Sequence, residues 1–181
     1  MKLQFNVSKI ICYAVLVISV ICFLFSLGIT TDIYNLYLLS SFNVSGSEIY
    51  QDIQYFNKTI VNMIIIAIVL ACTLFITRTH IRRRYYISNY VNVIIVSLYD
   101  IVVSFIAIFN LIYFRDYFLN NVDFEEYKKW TEVFKTVRYS ESTFWFDINI
   151  ICYIALIIIS IILFINLLLK NKKVKSVSYE Q

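Results

Sequence analysis

Four apolar stretches, 10–29, 59–77, 90–114 and 148–169, run through this chain, and the charges between them are sorted by side. Each stretch is about 19 to 25 residues long, enough for an α-helix rising roughly 1.5 Å per residue to cross a hydrocarbon core of about 30 Å. The alternating connections differ in sign. On one side lie Lys2, Lys9, Arg78, Arg82, Arg83, Arg84, Lys170, Lys172, Lys173 and Lys175, with Glu180 as the single acid. On the other lie Lys58, Arg115, Lys128, Lys129, Lys135 and Arg138 against ten acids. By the positive-inside rule the basic side is cytoplasmic, which puts both ends of the chain inside the cell.

A soluble domain is excluded by a hydrophobic content of 60% and a mean hydropathy of +0.74, both far above globular averages. One membrane domain, 1–181, accounts for the whole pattern. The first stretch follows two lysines, as a signal peptide would, but it is longer than the usual apolar core of about 7–15 residues and lacks a small-x-small cleavage site. It reads as a retained helix. With no proline and two glycines, straight spans are expected rather than the interrupted helices of many secondary transporters. Richness in Ile, Asn, Tyr, Phe and Lys is typical of AT-rich genomes, which points to a bacterial plasma membrane. The expected fold is an all-α integral membrane protein, a four-helix antiparallel bundle whose outer loops contain helical segments.

Those loops, 30–58 and 115–147, are patterned. Ser45-Gly-Ser-Glu48 has the form of a capping box ahead of Ile49, Ile53 and Phe56, so the second helix is expected to begin outside the membrane. In 32–39, Ile33, Leu36 and Tyr37 recur at helical spacing, which suggests a short helix either continuing from the first span or lying on the surface. Asp123-Phe-Glu-Glu126 is a second capping box, followed by Phe124, Tyr127, Trp130, Phe134 and Val137 at three- or four-residue intervals. That stripe predicts an amphipathic helix over 124–137. It either packs on the protein's own outer ends or lies in the headgroup zone, or it forms a docking face for a partner protein or an extracellular ligand. Aromatic pairs bracketing the spans, such as Tyr113 with Tyr117 and Phe144-Trp-Phe146, fit interfacial belts.

Asp100 is the single charged residue inside a span. It lies about 11 residues, or roughly 16 Å, beyond the inner end of the third stretch, close to the midplane. An ionised carboxylate at that depth costs about 2.5 to 3.5 kcal/mol on insertion scales, so it should face other helices or water. On a helical wheel Asn89, Asn92, Ser97, Ser104, Ala107 and Asn110 share its face. Asp100, Ser97, Ser104, Asn92 and Asn89 therefore form the candidate intramembrane polar site. Two roles are open: helix glue, with Asp100 bonded to Ser19 or Ser160 at equal depth, or a site for a proton or cation. No Lys, Arg or His occupies another span.

The inner turn, 78–89, contains Arg82, Arg83 and Arg84. These arginines hold the turn in the cytoplasm and are a candidate contact with anionic lipid or a partner. His80, among arginines and without a second ligand, makes a poor metal site. Cys12, Cys22, Cys72 and Cys152 all fall within spans and never form C-x-x-C, which excludes a membrane disulfide oxidoreductase and reads as apolar packing. Ala67 and Ala71 have the small-xxx-small spacing of a close helix contact. Asn43 and Asn57 head outward-facing glycosylation sequons that a bacterial cell would leave unused. No phosphate loop, nucleophile elbow, metal cluster or catalytic carboxylate pair is present. An enzyme, a cofactor and a nucleic-acid partner are not expected. The pattern favours an accessory or structural subunit of a larger membrane complex, such as a transporter or an envelope assembly, with the bilayer and other membrane subunits as partners. The alternative is a small channel or ion-coupled transporter that uses Asp100.

Overall fold

The computed structural model describes the backbone of residues 2–40, 44–79, 87–133 and 141–179, and side chains within 7–29, 44–74, 90–133 and 141–169. Phe134, Arg82, Arg83 and Arg84 lie outside the described residues, and Asn89 is described as backbone alone. Five helices follow in order: α1 (Lys2–Ser40), α2 (Ile49–Thr79), α3 (Ile87–Asn121), α4 (Phe124–Val133) and α5 (Phe144–Tyr179). There is no strand among the described residues. Four of the helices carry stretches long and apolar enough to cross a membrane, Val7–Ile29, Ile49–Leu74, Tyr90–Asn121 and Phe144–Leu169. In lipid every backbone N–H and C=O must be satisfied within the segment, so these Ile- and Leu-rich runs form helices despite their β-branched content.

The helices outrun the apolar stretches. α1 continues through 32–39 to Ser40, as the spacing of Ile33, Leu36 and Tyr37 suggested. α2 starts at Ile49, ten residues before its apolar core, and α3 passes Phe114 to end at Asn121. α5 carries on through the lysine-rich tail to Tyr179. Hydropathy locates the membrane segment, but a helix without proline or a glycine cap has no reason to stop where the lipid does.

α1 packs against α2 and α5, and α3 packs against the same two, giving the cyclic order α1, α2, α3, α5. Ala67 and Ala71 are completely buried on the inner face of α2, where small side chains let backbones approach closely. Outward faces are apolar and bare: Val17 and Leu24 on α1, Ile66 and Val69 on α2, Phe105 and Phe109 on α3, Ile158 and Ile165 on α5. This is the surface of a protein solvated by acyl chains rather than water.

At the end that carries α4, called here the cap end, two connections lock together. Gly46 adopts φ 80, and a side-chain carbon at this position would overlap the backbone carbonyl of Asn121. The left-handed conformation and the close approach both require glycine. Ser47 Oγ donates to the Val44 carbonyl at 2.6 Å, so the side-chain bond of this turn comes from Ser47. The amide of Asp123 donates to the Ser45 carbonyl at 3.2 Å. Asp123 caps α4 as its sequence indicated, its Oδ1 accepting the Glu126 amide at 2.9 Å. The reciprocal half of that capping box is replaced, because the Asp123 amide is already engaged by Ser45. α4 then lays Tyr127 into the apolar core and sets Phe124 edge-to-face with Phe118 at 5.2 Å.

Candidate functional site: a buried polar layer

The interior is two apolar cores rather than one. The larger runs from Tyr127, Phe118 and Phe146 at the cap end down to Cys22, Ala67, Ala107 and Leu156. The smaller contains Ile11, Val15, Ala71, Val96, Leu163 and Leu167 at the opposite end. Between them lies a layer of buried polar side chains: Ser19 of α1, Ser97, Asp100 and Ser104 of α3, and Ser160 of α5. Asp100 is 0% exposed. The sequence-predicted face of α3 thus points inward, and its neighbours at i−3 and i+4 are enclosed with it.

The bonds within the layer are few. Ser160 Oγ donates to Asp100 Oδ2 at 3.3 Å, linking α5 to α3. Ser19, the other serine at this depth, turns back to the Val15 carbonyl of its own helix at 2.8 Å. Beside the layer, Tyr99 OH donates to the Met63 carbonyl at 3.0 Å and ties α3 to α2. Asp100 Oδ1, Ser97 Oγ and Ser104 Oγ are buried with no hydrogen-bond partner. Three stranded oxygens on adjoining turns of one helix are unusual, because buried polar atoms are nearly always paired. Among the described residues of the four spans no cation faces Asp100, so an enclosed carboxylate here must carry a proton or a bound cation.

The rest of the predicted stripe diverges. Asn92 is half-buried below the layer, and Asn110 is half-exposed, its Nδ2 bonded to the Ile106 carbonyl at 2.8 Å. The buried part of the stripe therefore spans Ser97 to Ala107, with its polar side chains from Ser97 to Ser104. Of the aromatic residues on α4, Tyr127 is buried, while Phe124 and Trp130 are half-buried against the larger core. The stripe's inner side is thus occupied by the protein itself. Beside Trp130 an open hollow is lined by Asp123, Glu125, Glu126, Lys129 and Val133.

A second polar cluster was not singled out from sequence. Ser26 of α1 lies 2.8 Å from Tyr153 OH and 3.3 Å from Asn149 Oδ1, both on α5. Asn149 Nδ2 donates to the carbonyls of Phe25 at 3.0 Å and Trp145 at 2.7 Å. All three side chains are buried and bonded. The available signal is that Asn149 and Tyr153 stand four residues apart on one helical face inside the fourth stretch. At the cap rim Arg115 Nε donates to Asp147 Oδ1 at 2.7 Å, and Thr143 Oγ1 donates to Asp147 Oδ2 at 2.6 Å.

Among the described residues no group of three His, Cys, Asp or Glu side chains could hold a metal ion, and no disulfide joins the cysteines, three of which are buried. No protein-family model, curated protein or solved structure matches this chain.

Proposed function

We propose that the chain is a plasma-membrane protein of bacterial type, an antiparallel bundle of four spans with both termini in the cytoplasm, acting as an accessory or structural subunit of a larger membrane complex. The observation that carries this reading is the closure of the bundle: its one intramembrane charge-bearing residue, Asp100, is wholly enclosed by its own helices. A bundle sealed at its polar layer suits a partner subunit better than an open pore. Contacts would then come from the cap, where half-buried Trp130 borders the acidic hollow, and from the arginines of the inner turn.

The test is purification in mild detergent followed by mass spectrometry. A stoichiometric membrane partner that Trp130→Ala releases supports the reading, and a chain that remains alone at native expression levels overturns it. A second reading, an ion- or proton-coupled transporter, is favoured by the stranded Oδ1 of Asp100. It requires that Asp100→Asn abolish ion-dependent flux in reconstituted vesicles while leaving the fold intact. Equal flux in the two proteins would remove it.

A further inference from the structure

We propose that Asp100 carries a proton and exchanges it with water through the end of the bundle opposite the cap, past Ser97 and Asn166. This rests on the second reading for its site and goes beyond it in naming the occupant and the side of entry. The bonding selects the proton. An ionised carboxylate draws donors to both oxygens, yet Oδ2 receives one long bond, from Ser160 at 3.3 Å, and Oδ1 receives none. Ser97 and Ser104 stand seven residues apart, about 10.5 Å along the helix, so their hydroxyls cannot close around one ion beside the carboxylate. No ion pair reaches Asp100 among the described residues. A neutral acid fits this bonding: Oδ2 is the carbonyl oxygen that accepts from Ser160, and Oδ1 bears the proton.

The two ends of the bundle differ in what they offer that proton. Toward the cap, Ser104 is followed on α3 by Ala107, Leu111, Phe114 and Phe118, all buried. The polar cluster in that direction, Ser26, Asn149 and Tyr153, is bonded to itself, and Asn57 nearer the cap is cut off from the layer by Ile60 and Ile64, which are 2% and 0% exposed. Toward the opposite end the polar groups are unspent. Ser97 lies three residues from Asp100, about 4.5 Å along α3, and its Oγ is unpartnered. Val93 and Val96 of α3 share the smaller core with Leu163 and Leu167 of α5, so α5 beyond Ser160 runs alongside this part of α3. That puts Asn166, six residues or about 9 Å past Ser160, one further step from Ser97. Its Nδ2 is buried and unpartnered, and Asn92, farther along α3, is half-buried. Water entering from this end meets Asn92, Asn166 and Ser97 in succession, and polar partners are what a buried water needs. Asp100 is 0% exposed, so exchange follows brief local openings rather than a standing channel. The other ionisable groups facing the layer are Tyr99 of α3, whose hydroxyl is committed to Met63, and the thiols of Cys22 and Cys12 on α1. α2 brings Ala67 and Ala71 and α5 brings Ser160, none of them ionisable.

Infrared spectroscopy of the full chain in detergent tests both parts. A protonated carboxyl has a C=O stretch distinct from those of carboxylates and amides, and the band moves to lower frequency when deuterium replaces the proton. At neutral pH the band should be present in the unmodified protein and absent from Asp100→Asn. Ser160→Ala should move it to higher frequency, because the carbonyl oxygen loses its bond, and this identifies the band even if Asp100→Asn does not fold. After transfer to heavy water the downshift should be several-fold slower in Ser97→Ala and Asn166→Leu and unchanged in Ser104→Ala. A missing band at neutral pH would show an ionised Asp100 and overturn the inference. Exchange slowed by Ser104→Ala alone, or indifferent to both Ser97→Ala and Asn166→Leu, would overturn the side of entry. Because the spectrum reads occupancy and access rather than transport, the expected band and exchange without flux keep this inference and sink only the transporter reading. Flux lost in Asp100→Asn without an acid band does the reverse.

Discussion

The two oxygens of Asp100 are treated differently by their surroundings, and that inequality can be measured. Oδ2 has Ser160; Oδ1 has nothing. Ser160→Ala strands both oxygens and should lower the thermal midpoint in detergent, the loss corresponding to about 0.5–2 kcal/mol for an interhelical hydrogen bond. Asp100→Asn should cost nothing or raise the midpoint, since it removes a carboxyl that can be buried only at the cost of neutralising it. A lower midpoint for Asp100→Asn than for Ser160→Ala would show the carboxylate to be a structural keystone instead. Gly28 offers a second test at the same scale. A side-chain carbon there would overlap the ring of Trp145, which is packed onto the bare α1 backbone. In a Trp130→Phe background, Gly28→Ala should shift Trp145 fluorescence and destabilise the bundle by about 1–3 kcal/mol, the usual range for overpacking.

Among the elements, α4 has the most local support and the least tertiary burial. Its N-cap bond from Asp123 is worth about 1 kcal/mol, so Asp123→Ala should speed hydrogen exchange at amides 125–127 without moving the global midpoint. Protection there that survives the substitution would mean that the packing of Phe124, Tyr127 and Trp130 holds the helix without its cap. The start of α4, its cap and the Phe124, Tyr127 and Trp130 part of its stripe were legible, because capping and periodicity are local. The partner of Asp100 was legible only to a choice of two, because equal depth admits both Ser19 and Ser160, and the structure takes Ser160. The Ser26–Asn149–Tyr153 cluster was not legible, since nothing in a sequence says which face of α5 meets α1. A double-mutant cycle of Ser26→Ala with Tyr153→Phe should give a coupling of about 0.5–2 kcal/mol. Additivity would show that the 2.8 Å contact adds no stability.

At the scale of the whole molecule, sorted charge predicts orientation. Introduced singly into a cysteine-free chain, Glu132→Cys on α4 should react with an impermeant maleimide added to intact cells, and Ser88→Cys at the start of α3 should react only after permeabilisation. The reverse pattern would invert the topology. The ion pair of Arg115 with Asp147 stands at the cap rim, where its side chains are 34% and 44% exposed, so it adds little to stability and more to register.

The bond from the Asp123 amide to the Ser45 carbonyl carries a consequence for biogenesis. The chain is made from its N-terminus, so α1 and α2 enter the bilayer as a hairpin before Asp123 has been synthesised. Their connecting turn, with Gly46 shaped to receive Asn121, waits without its counterpart through that interval. A ribosome stalled before Asn121 should therefore present a first hairpin whose turn is open to protease, and one stalled after α5 has emerged should present the same turn sealed.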